Sequence, residues 1–533
     1  MINLHWVILL PIIWGTIVKL ISIKTAKKIM VLFQSALLVS ATMIFIEVRK
    51  NGTVLENIGG WPDTIGITLR ADLLASAMVL LTCFLFLAMV IFVHNKNYAD
   101  HLFFFLFLSL ESLIIGIFLS NDLFNIFVLI EAATLIITIL IMYKKANVAI
   151  YDGMMYLLIN VVAMSFFLMG LGMLYKKIGV LDFYALETAL SQVKDPQSVI
   201  LPYAFMITAV SLKAALMPLF SWLPKAHGTP SAPSVVSAIL SGLYVKTGIY
   251  VFLRLQISFS PLIDTSELFM ILGLITAIVG FILALAQQDI KLLLAYSTVS
   301  QIGVIMIGLN LDNPMAYWGG LYHLMNHAIF KSTLFLTAGM IISEYKTRNL
   351  AEIKGVFKHM PAVGFATILS ILGIIGAPLF NGSISKYLIA SGSSGTWIES
   401  GLVLINLGTI IVFIKYSQLL FGSSGKNEAA NFDILERAVV LTLSILCFLG
   451  GIFGSELIAV LFDIELTVDL QSYSMKMLIF VGSFFLGILI YRGLFKKTNR
   501  LAFINSFELG FNEICLSITL FFAFIVTYLK LTL

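Results

Sequence analysis

Charged side chains are scarce in this sequence. Aspartate, glutamate, lysine and arginine together make up 11% of its 533 residues, whereas 60% are hydrophobic and the mean hydropathy is +1.02. Soluble domains carry about 25% charged residues, so this composition excludes a water-soluble globular protein. Apolar runs of roughly 18 residues or more, each long enough to cross a bilayer as a helix, recur along almost the whole chain. We therefore predict an all-α, polytopic membrane protein.

Several kinds of chemistry are missing as well. Cysteine occurs three times, at Cys83, Cys447 and Cys515, each inside an apolar run and without metal-ligand spacing, so these residues are interpreted as packing residues. The sequence has no phosphate-binding glycine-rich loop, no haem or iron–sulfur ligand set and no nucleophile–base arrangement. We predict no cofactor, no metal and no catalytic site of its own. An ion gradient or a partner must then supply the energy.

The net charge of +5 does not indicate a nucleic-acid partner, because cationic residues of membrane proteins collect in cytoplasmic loops. The first apolar run lacks a basic leader and a small-residue cleavage site, and we interpret it as a span. About 14–16 spans are predicted in total. They lie near residues 4–23, 29–47, 72–93, 102–120, 122–143, 153–175, 199–220, 232–254, 267–286, 292–311, 316–342, 362–390, 399–420, 438–462, 475–491 and 507–530.

Lysine and arginine are distributed unequally between the loops of the two faces. With the amino terminus outside, about 18 of them fall in cytoplasmic loops and about 8 in the others, as expected from the positive-inside rule. We predict a multi-pass protein of the cell membrane with an external amino terminus. Three longer loops are predicted, at 48–71, 176–198 and 343–361.

Two predicted spans share a proline pattern. Pro-Leu-Phe occurs at Pro218 and again at Pro378, and a lysine lies beside each, Lys213 and Lys386. Proline removes a backbone hydrogen bond from a helix, and interrupted spans in two halves of a chain are typical of transporters built from repeats. We predict a broken helix at each proline. Glycine and serine surround Lys386, so its depth is less defined than that of Lys213.

Ionisable groups at bilayer depth are costly and indicate function. Glu131, the one glutamate assigned to such a depth, is either a switchable group or part of a fixed structural ion pair. Lys213 and Lys246 lie well inside their spans, where a buried amine can accept and release a proton; snorkelling to the interface is the alternative for Lys213. Lys415 is either deep or a snorkelling residue and is a secondary candidate.

Histidines and lysines form two further groups. Lys225 and His227 lie in a proline-rich stretch predicted to be an irregular turn, either as relay members or as ordinary polar loop residues. His323, His327 and Lys331 are spaced by four and lie on one helical face. A metal would suit two histidines at this spacing, but no third ligand follows. Imidazoles passing protons along water fit the pattern better, and satisfied packing residues are the alternative.

Taken together, the motifs of this chain are those of a known family. Over roughly residues 70–420 the sequence resembles the antiporter-like subunits of respiratory complex I, of Mrp sodium/proton antiporters and of membrane-bound energy-converting hydrogenases. It is most similar to the Mrp antiporter D subunit, in part because position 386 is a lysine. The motifs that carry the resemblance are 121–131, 211–213, 224–238, 246–248, 289–291, 295–303, 323–331 and 376–386.

The resemblance implies an architecture. Two inverted five-helix repeats, each with a broken helix, would occupy 101–255 and 256–421, between N-terminal spans at 1–100 and C-terminal spans at 422–533. The region after about residue 436 contains more spans than the core fold requires, and such helices usually serve in docking. Other membrane subunits of a multisubunit complex are implied as partners, with protons and possibly Na⁺ as the transported ions.

The resemblance also implies roles: Glu131 pairs with Lys213, a hydrated path runs through Lys246 and the His323–His327 face, and Lys386 ends the relay. The predicted function is that of a proton-conducting subunit of a Na⁺(cation)/H⁺ antiporter. The alternative is a proton-pumping subunit of a complex I-like NADH:quinone oxidoreductase or hydrogenase. A passive structural subunit and an unrelated solute transporter are further hypotheses, although no substrate pocket is identifiable in the sequence.

Overall fold

Helices account for almost the whole structure. The computed structural model describes residues 3–61, 66–228, 232–423, 430, 432–466, 468–496, 501, 504 and 509–533. In chain order its helices are α1 (Leu4–Val18), α2 (Ile23–Asn51), α3 (Leu73–Val93), α4 (His101–Leu119), α5 (Leu123–Ile141), α6 (Asn147–Ile178), α7 (Phe183–Ser191), α8 (Ile200–Lys213), α9 (Trp222–Gly228), α10 (Ser234–Ile239), α11 (Val245–Phe259), α12 (Ser266–Ala286), α13 (Ile290–Asn310), α14 (Pro314–Tyr345), α15 (Val356–His359), α16 (Pro361–Ile375), α17 (Asn381–Gly392), α18 (Trp397–Ser417), α19 (Ile434–Ile452), α20 (Gly454–Phe462), α21 (Leu470–Ile490) and α22 (Phe511–Thr532).

The predicted fold class, an all-α polytopic bundle, is confirmed. Within the described ranges, twelve helices are long and apolar enough to cross a membrane, judged by length and composition. The α10 and α11 helices form one of these, joined by a π-helical turn at Leu240–Tyr244. Each predicted span overlaps a helix or a broken helix. The 32-residue α14 is not one of the twelve. Histidines and a lysine lie inside it and make it less uniformly apolar.

The predicted loops contain structure that the sequence pattern did not indicate. A short antiparallel hairpin pairs strand β1 (Val54–Asn57) with β2 (Thr68–Ala71) inside the predicted loop 48–71. The α7 helix lies inside the predicted loop 176–198. Asp182 caps α7 by accepting the backbone N–H groups of Tyr184 and Ala185. Both elements cover the ends of spans.

Two ion pairs join the ends of spans that are distant in the sequence. If the chain crosses at every span, the amino terminus and residues 52–72 lie on one face, here called the N-terminal face. Arg254 and Asp72 then lie together on that face, and their ion pair measures 2.5 Å. Lys96 pairs with Glu436 at 2.7 Å on the opposite face. Both pairs join span ends that the predicted alternation places on the same side.

Both proline-containing spans are broken. Between α8 and α9, residues 214–221 are not α-helical and contain Pro218; between α16 and α17, residues 376–380 contain Pro378. Helical ends leave backbone carbonyls without intrahelical partners. Side chains satisfy them here: the Trp222 indole N–H donates to the carbonyl of Leu212 at 2.6 Å, and the Lys386 amine donates to the carbonyl of Ile374 at 2.8 Å.

Close packing brings the two lysine-bearing spans of the first half together. Gly248 on α11 faces the end of α8, where a Cβ atom added to the glycine would lie 2.6 Å from the carbonyl carbon of Lys213. Such a contact is too short for any larger residue without movement of a backbone. The glycine therefore permits the close approach that places Lys213 and Lys246 in one buried region.

Candidate functional site

Lys213 lies at the last position of α8, directly before the break, and only 3% of its surface is exposed. Its amine donates a hydrogen bond to the hydroxyl of Thr134 at 2.8 Å and a longer one to the hydroxyl of Tyr244 at 3.4 Å. Those two hydroxyls are 3.1 Å apart. Lys213 is therefore held in the protein interior by neutral oxygens and has not snorkelled to an interface.

Glu131 lies one helical turn before Thr134 on α5. No direct ion pair joins Glu131 to Lys213 among the described residues, and the Lys213 amine donates to Thr134. One carboxyl oxygen of Glu131, Oε1, is buried without a hydrogen-bond partner there. Lys213 is thus hydrogen-bonded to Thr134 and not to Glu131. The nearby carboxyl group of Glu131 keeps one oxygen free to accept a hydrogen bond.

Lys246 on α11 connects this region to α14. Its Nζ atom lies 2.6 Å from Nδ1 of His327 and also donates to the carbonyl of Ser241, in the π-helical turn. Both side chains are fully buried, and Nε2 of His327 has no hydrogen-bond partner within the described part of the chain. An amine and an imidazole in direct contact can share a proton. This contact joins α11 to α14.

His323 lies one turn from His327 on the same face of α14, about 6 Å along the helix axis. Its two ring nitrogens contact Gln301 Oε1 at 3.1 Å and Ser385 Oγ at 2.9 Å. Ser385 immediately precedes Lys386 on α17. The predicted histidine face therefore leads from Lys246 towards the second broken helix.

Lys386 is partly buried on α17, and its amine donates to Asn406 Oδ1 at 3.0 Å as well as to Ile374. A cavity of about 100 Å³ lies beside it. Both partners of the amine are neutral oxygens, so the two broken helices hold their lysines in the same chemical manner.

Lys331 continues the α14 face on the other side of His327. It is fully buried and donates to the carbonyl of Leu294 at 2.8 Å and to the hydroxyl of Ser297. The Lys331 amine also lies 5.8 Å from the centre of the Phe413 ring. Its partners resemble those of Lys213, and it remains a secondary candidate.

The predicted irregular turn around Lys225 and His227 is wrong for residues 222–228, which form the short helix α9; the prediction for 229–231 lies outside the described residues. His227 is completely buried and stacks on Phe335, with ring centroids 5.1 Å apart. Neither of its ring nitrogens has a hydrogen-bond partner within the described ranges. Lys225 donates to the carbonyl of Leu509 at 2.7 Å. His227 is therefore an interior residue.

Lys415 lies at the end of α18, and backbone carbonyls are the only hydrogen-bond partners of its amine among the described residues. Its amine donates to the carbonyls of Leu285 and Gln287 at 2.8 and 2.5 Å, at the carboxyl end of α12. Cations are favourable at that end of a helix, where backbone carbonyls lack partners. These contacts favour a structural role over a place in the relay.

Replacing Lys415 with methionine is expected to destabilise the protein by about 1–3 kcal/mol, because two buried carbonyls lose their donor. Ion flux per assembled complex should stay close to that of the wild type. Thermal unfolding in detergent together with flux normalised to protein amount checks both statements. Lys177→Met, at the exposed end of α6, is the matched control. Loss of flux at unchanged stability would place Lys415 in the relay after all.

Four buried ionisable residues in the described ranges are not among the candidates from the sequence: Glu111, Lys291, His359 and Glu436. Glu111 is fully buried on α4, where its carboxyl group accepts a hydrogen bond from Gln34 at 2.6 Å, so Glu131 is not the one glutamate at depth. The signal was visible, since Glu111 interrupts a predicted span. Lys291 is also buried and donates to the carbonyl of Ala232 at 2.9 Å. It lies at the start of α13, where a lysine would ordinarily reach water.

Comparison with known proteins gives consistent results. The family model described as NADH:quinone oxidoreductase/Mrp antiporter, TM, matches residues 120–413. NADH-quinone oxidoreductase subunit N of Desulforudis audaxviator is 32% identical over 370 residues, covering 67% of this chain and 73% of that protein. The D subunit of the Na⁺/H⁺ antiporter of Alkalihalophilus pseudofirmus is 28% identical over 414 residues, covering 75% and 82%. A chain of the solved Mrp complex from Dietzia sp. superposes with a TM-score of 0.80 at 21% identity, covering 92% of this chain and all of that one.

Proposed function

Because the chain belongs to the NADH:quinone oxidoreductase/Mrp antiporter family of transmembrane subunits, we propose that it is the proton-conducting subunit of a multisubunit Na⁺(cation)/H⁺ antiporter of the Mrp type. The resemblance stated from the sequence motifs is thereby confirmed at the level of the family. The observation that carries the proposal is the direct Lys246–His327 contact of 2.6 Å, buried between two lysine-bearing broken helices. Its amine and imidazole can exchange a proton in the interior of the bundle.

The proposed path begins at Lys213, continues through Lys246 and the two histidines and ends at Lys386. We place it in two inverted repeats, residues 101–255 and 256–421. Buried groups with titratable nitrogens, joined by hydroxyl and amide side chains, form a chain along which protons can move when water enters the gaps between them. Support comes from the Lys246–His327 contact and from the contacts of His323 with Gln301 and Ser385, the residue before Lys386.

The proposed switch is the Glu131–Lys213 pair, open in this structure. Two unit charges about 4 Å apart interact by roughly 4 kcal/mol at an effective dielectric constant of about 20, which corresponds to about a thousandfold change in proton affinity. Closing the pair favours the charged lysine. Opening it favours transfer of the proton towards Lys246. Movement of the Lys213 amine between Thr134 and Glu131 would therefore suffice to drive a proton towards Lys246.

The proposed setting is a complex of several membrane subunits in the cell membrane, with the amino terminus outside. Support comes from the names of the relatives, which are subunits, and from the structural match within an Mrp complex. No Na⁺ path is assigned to this chain, because its buried relay consists of bases and one carboxyl group. Protons are the ions that such groups carry.

A second candidate function is proton pumping in a redox complex. The observation that favours it is the relative named NADH-quinone oxidoreductase subunit N, which matches at 32% identity. Neighbouring genes discriminate the two: small membrane subunits without redox partners favour the antiporter, whereas iron–sulfur or hydrogenase subunits favour the redox complex.

The test of the proposed function uses sealed inside-out membrane vesicles that contain the complete complex. Addition of Na⁺ to vesicles with an acid interior should release protons, and deletion of the gene for this chain should abolish the release. Complementation with the same gene should restore it. Na⁺-independent proton movement that requires quinone reduction or hydrogen oxidation would instead establish the redox function.

A further inference from the structure

The cavity beside Lys386 is built partly by a helix beyond the region that the family model matches. It is lined by side chains of α17, α18 and α21, including Lys386, Asn406, Glu399, Tyr473 and Lys476. The family match ends at residue 413, whereas α21 begins at Leu470. With a volume of about 100 Å³, the cavity exceeds the 10–15 Å³ that one water requires. A C-terminal helix, expected to serve in docking, thus completes the surroundings of a predicted relay residue.

Polar contacts fix α21 in this position. The Tyr473 hydroxyl lies 2.9 Å from the hydroxyl of Ser383, which is one turn before Lys386 on α17. The Tyr473 ring also meets the Tyr387 ring edge-on, with centroids 5.3 Å apart. These contacts hold α21 against the same face of α17 that carries the lysine.

An ion pair lies where the cavity meets the N-terminal face. Lys476 Nζ on α21 is 2.7 Å from Glu399 Oε1, and the two side chains are 25% and 33% exposed. Glu399 lies in the first turn of α18, next to the loop on the N-terminal face, and its other oxygen accepts the backbone N–H of Gly395 at 3.2 Å. This carboxyl group lines the cavity and also reaches the surface.

Two charged groups that can exchange a proton lie on the lining of the cavity. Lys386 donates to two neutral oxygens and forms no ion pair among the described residues, so no carboxylate traps its proton. Glu399 is the carboxyl group in the cavity lining, and the ammonium of Lys476 favours its ionised form, which can accept a proton. The donor and the acceptor therefore share one cavity.

We propose that Glu399 exchanges protons between Lys386 and the water on the N-terminal face, and that Lys476 of α21 positions it. The step breaks an N–H bond of the Lys386 ammonium and forms an O–H bond on the Glu399 carboxylate, leaving a neutral amine. The carboxylic acid then loses the proton to bulk water. Protonation removes the charge that binds Lys476, which favours release of the proton. This inference depends on the proposed proton-conducting function.

The test compares Glu399→Gln with Glu267→Gln in the assembled complex. Glu267 is the matched control because it is an exposed acid in the first turn of α12, on the same face. Glu399→Gln keeps an acceptor for Lys476 but cannot carry a proton. Na⁺-driven proton flux should fall about tenfold, less than the roughly 10²–10⁴-fold of general acids and bases, because Glu399 is 33% exposed and water can partly replace it. A membrane-impermeant buffer at high concentration on the N-terminal face should restore part of that flux. Glu267→Gln should behave as the wild type does.

Two results would overturn the proposal. One is a wild-type flux in Glu399→Gln. The other is a loss of flux in Glu399→Gln that the buffer does not relieve and that Lys476→Met reproduces in full. Because Lys476→Met keeps the carboxylate, the Glu399–Lys476 pair would then be structural only. Lys213→Ala distinguishes a failure of the proposed role of Glu399 from a failure of the proposed proton-conducting function. If that variant loses flux while Glu399→Gln does not, only the role of Glu399 fails; if it keeps full flux, the proposed function fails first.

Discussion

Replacing Lys213 with alanine is expected to lower Na⁺-driven proton flux at least about a hundredfold, because proton transfer by a positioned group contributes about 10² or more. Lys213 is the buried amine at the first helix break and the partner of the proposed switch. The Thr134–Tyr244 contact survives the change, so the complex should still assemble. Flux in sealed vesicles, normalised to the amount of assembled complex, is the measurement.

Two further variants make the Lys213 result specific. Lys213→Arg retains the positive charge but cannot release a proton near neutral pH, so it should be as inactive as the alanine variant. Lys177→Ala, at the exposed end of α6, should retain full flux. Activity in the arginine variant would show that the charge alone matters and would argue against proton transfer by this residue.

Replacing Lys246 with methionine should have the second large effect, again a loss of about a hundredfold. Lys246 supplies the contact between α11 and α14, and without its amine His327 loses its only polar partner among the described residues. Methionine fills a similar volume, so packing should be affected little. Proton flux through the assembled complex measures the effect.

Lys225→Met is the matched control for Lys246→Met. Lys225 lies on α9 in the same half of the chain, but its amine binds the carbonyl of Leu509 and not another relay residue. We expect this variant to keep most of the flux. Equal losses of proton flux in Lys225→Met and Lys246→Met would mean that the proton path passes through α9. Normal flux in Lys246→Met would mean that the proton path does not include α11.

Much of the fold could be predicted from the sequence, because hydrocarbon imposes a single solution on the backbone. Only helices and closed barrels satisfy every backbone group there, so apolar runs translate directly into spans. The buried lysines were predictable for the same reason, since an amine in the middle of a run such as that around Lys246 has few ways to reach water. The four-residue spacing of His323 and His327 predicts that both lie on one face of a helix.

The immediate partners of these residues could not be predicted. Thr134 holds Lys213 in place of Glu131, and nothing distinguishes this threonine from the others that occur in apolar helices. Lys415 binds the end of α12, a contact between residues 130 positions apart. Such contacts depend on how helices are arranged around one another, which a pattern of apolar runs does not specify.

The C-terminal region illustrates the same limit. The family resemblance predicts a docking role for its helices, because the core fold does not require them, yet α21 lines the cavity of Lys386 through Tyr473 and Lys476. Only the folded arrangement brings residue 476 beside residue 399. Glu111 differs, since its position inside an apolar run is a signal that the sequence itself contains.

The central claim is that buried titratable groups of this chain carry the proton, and a combined variant tests it most directly. Glu131→Gln, Lys213→Ala and Lys246→Met are introduced together, and assembly and Na⁺-driven proton flux are measured on the same vesicles. We predict that the complex assembles with its partner subunits and that flux falls to the background level. Undiminished flux in the assembled triple variant would contradict the claim and establish this chain as a passive structural subunit.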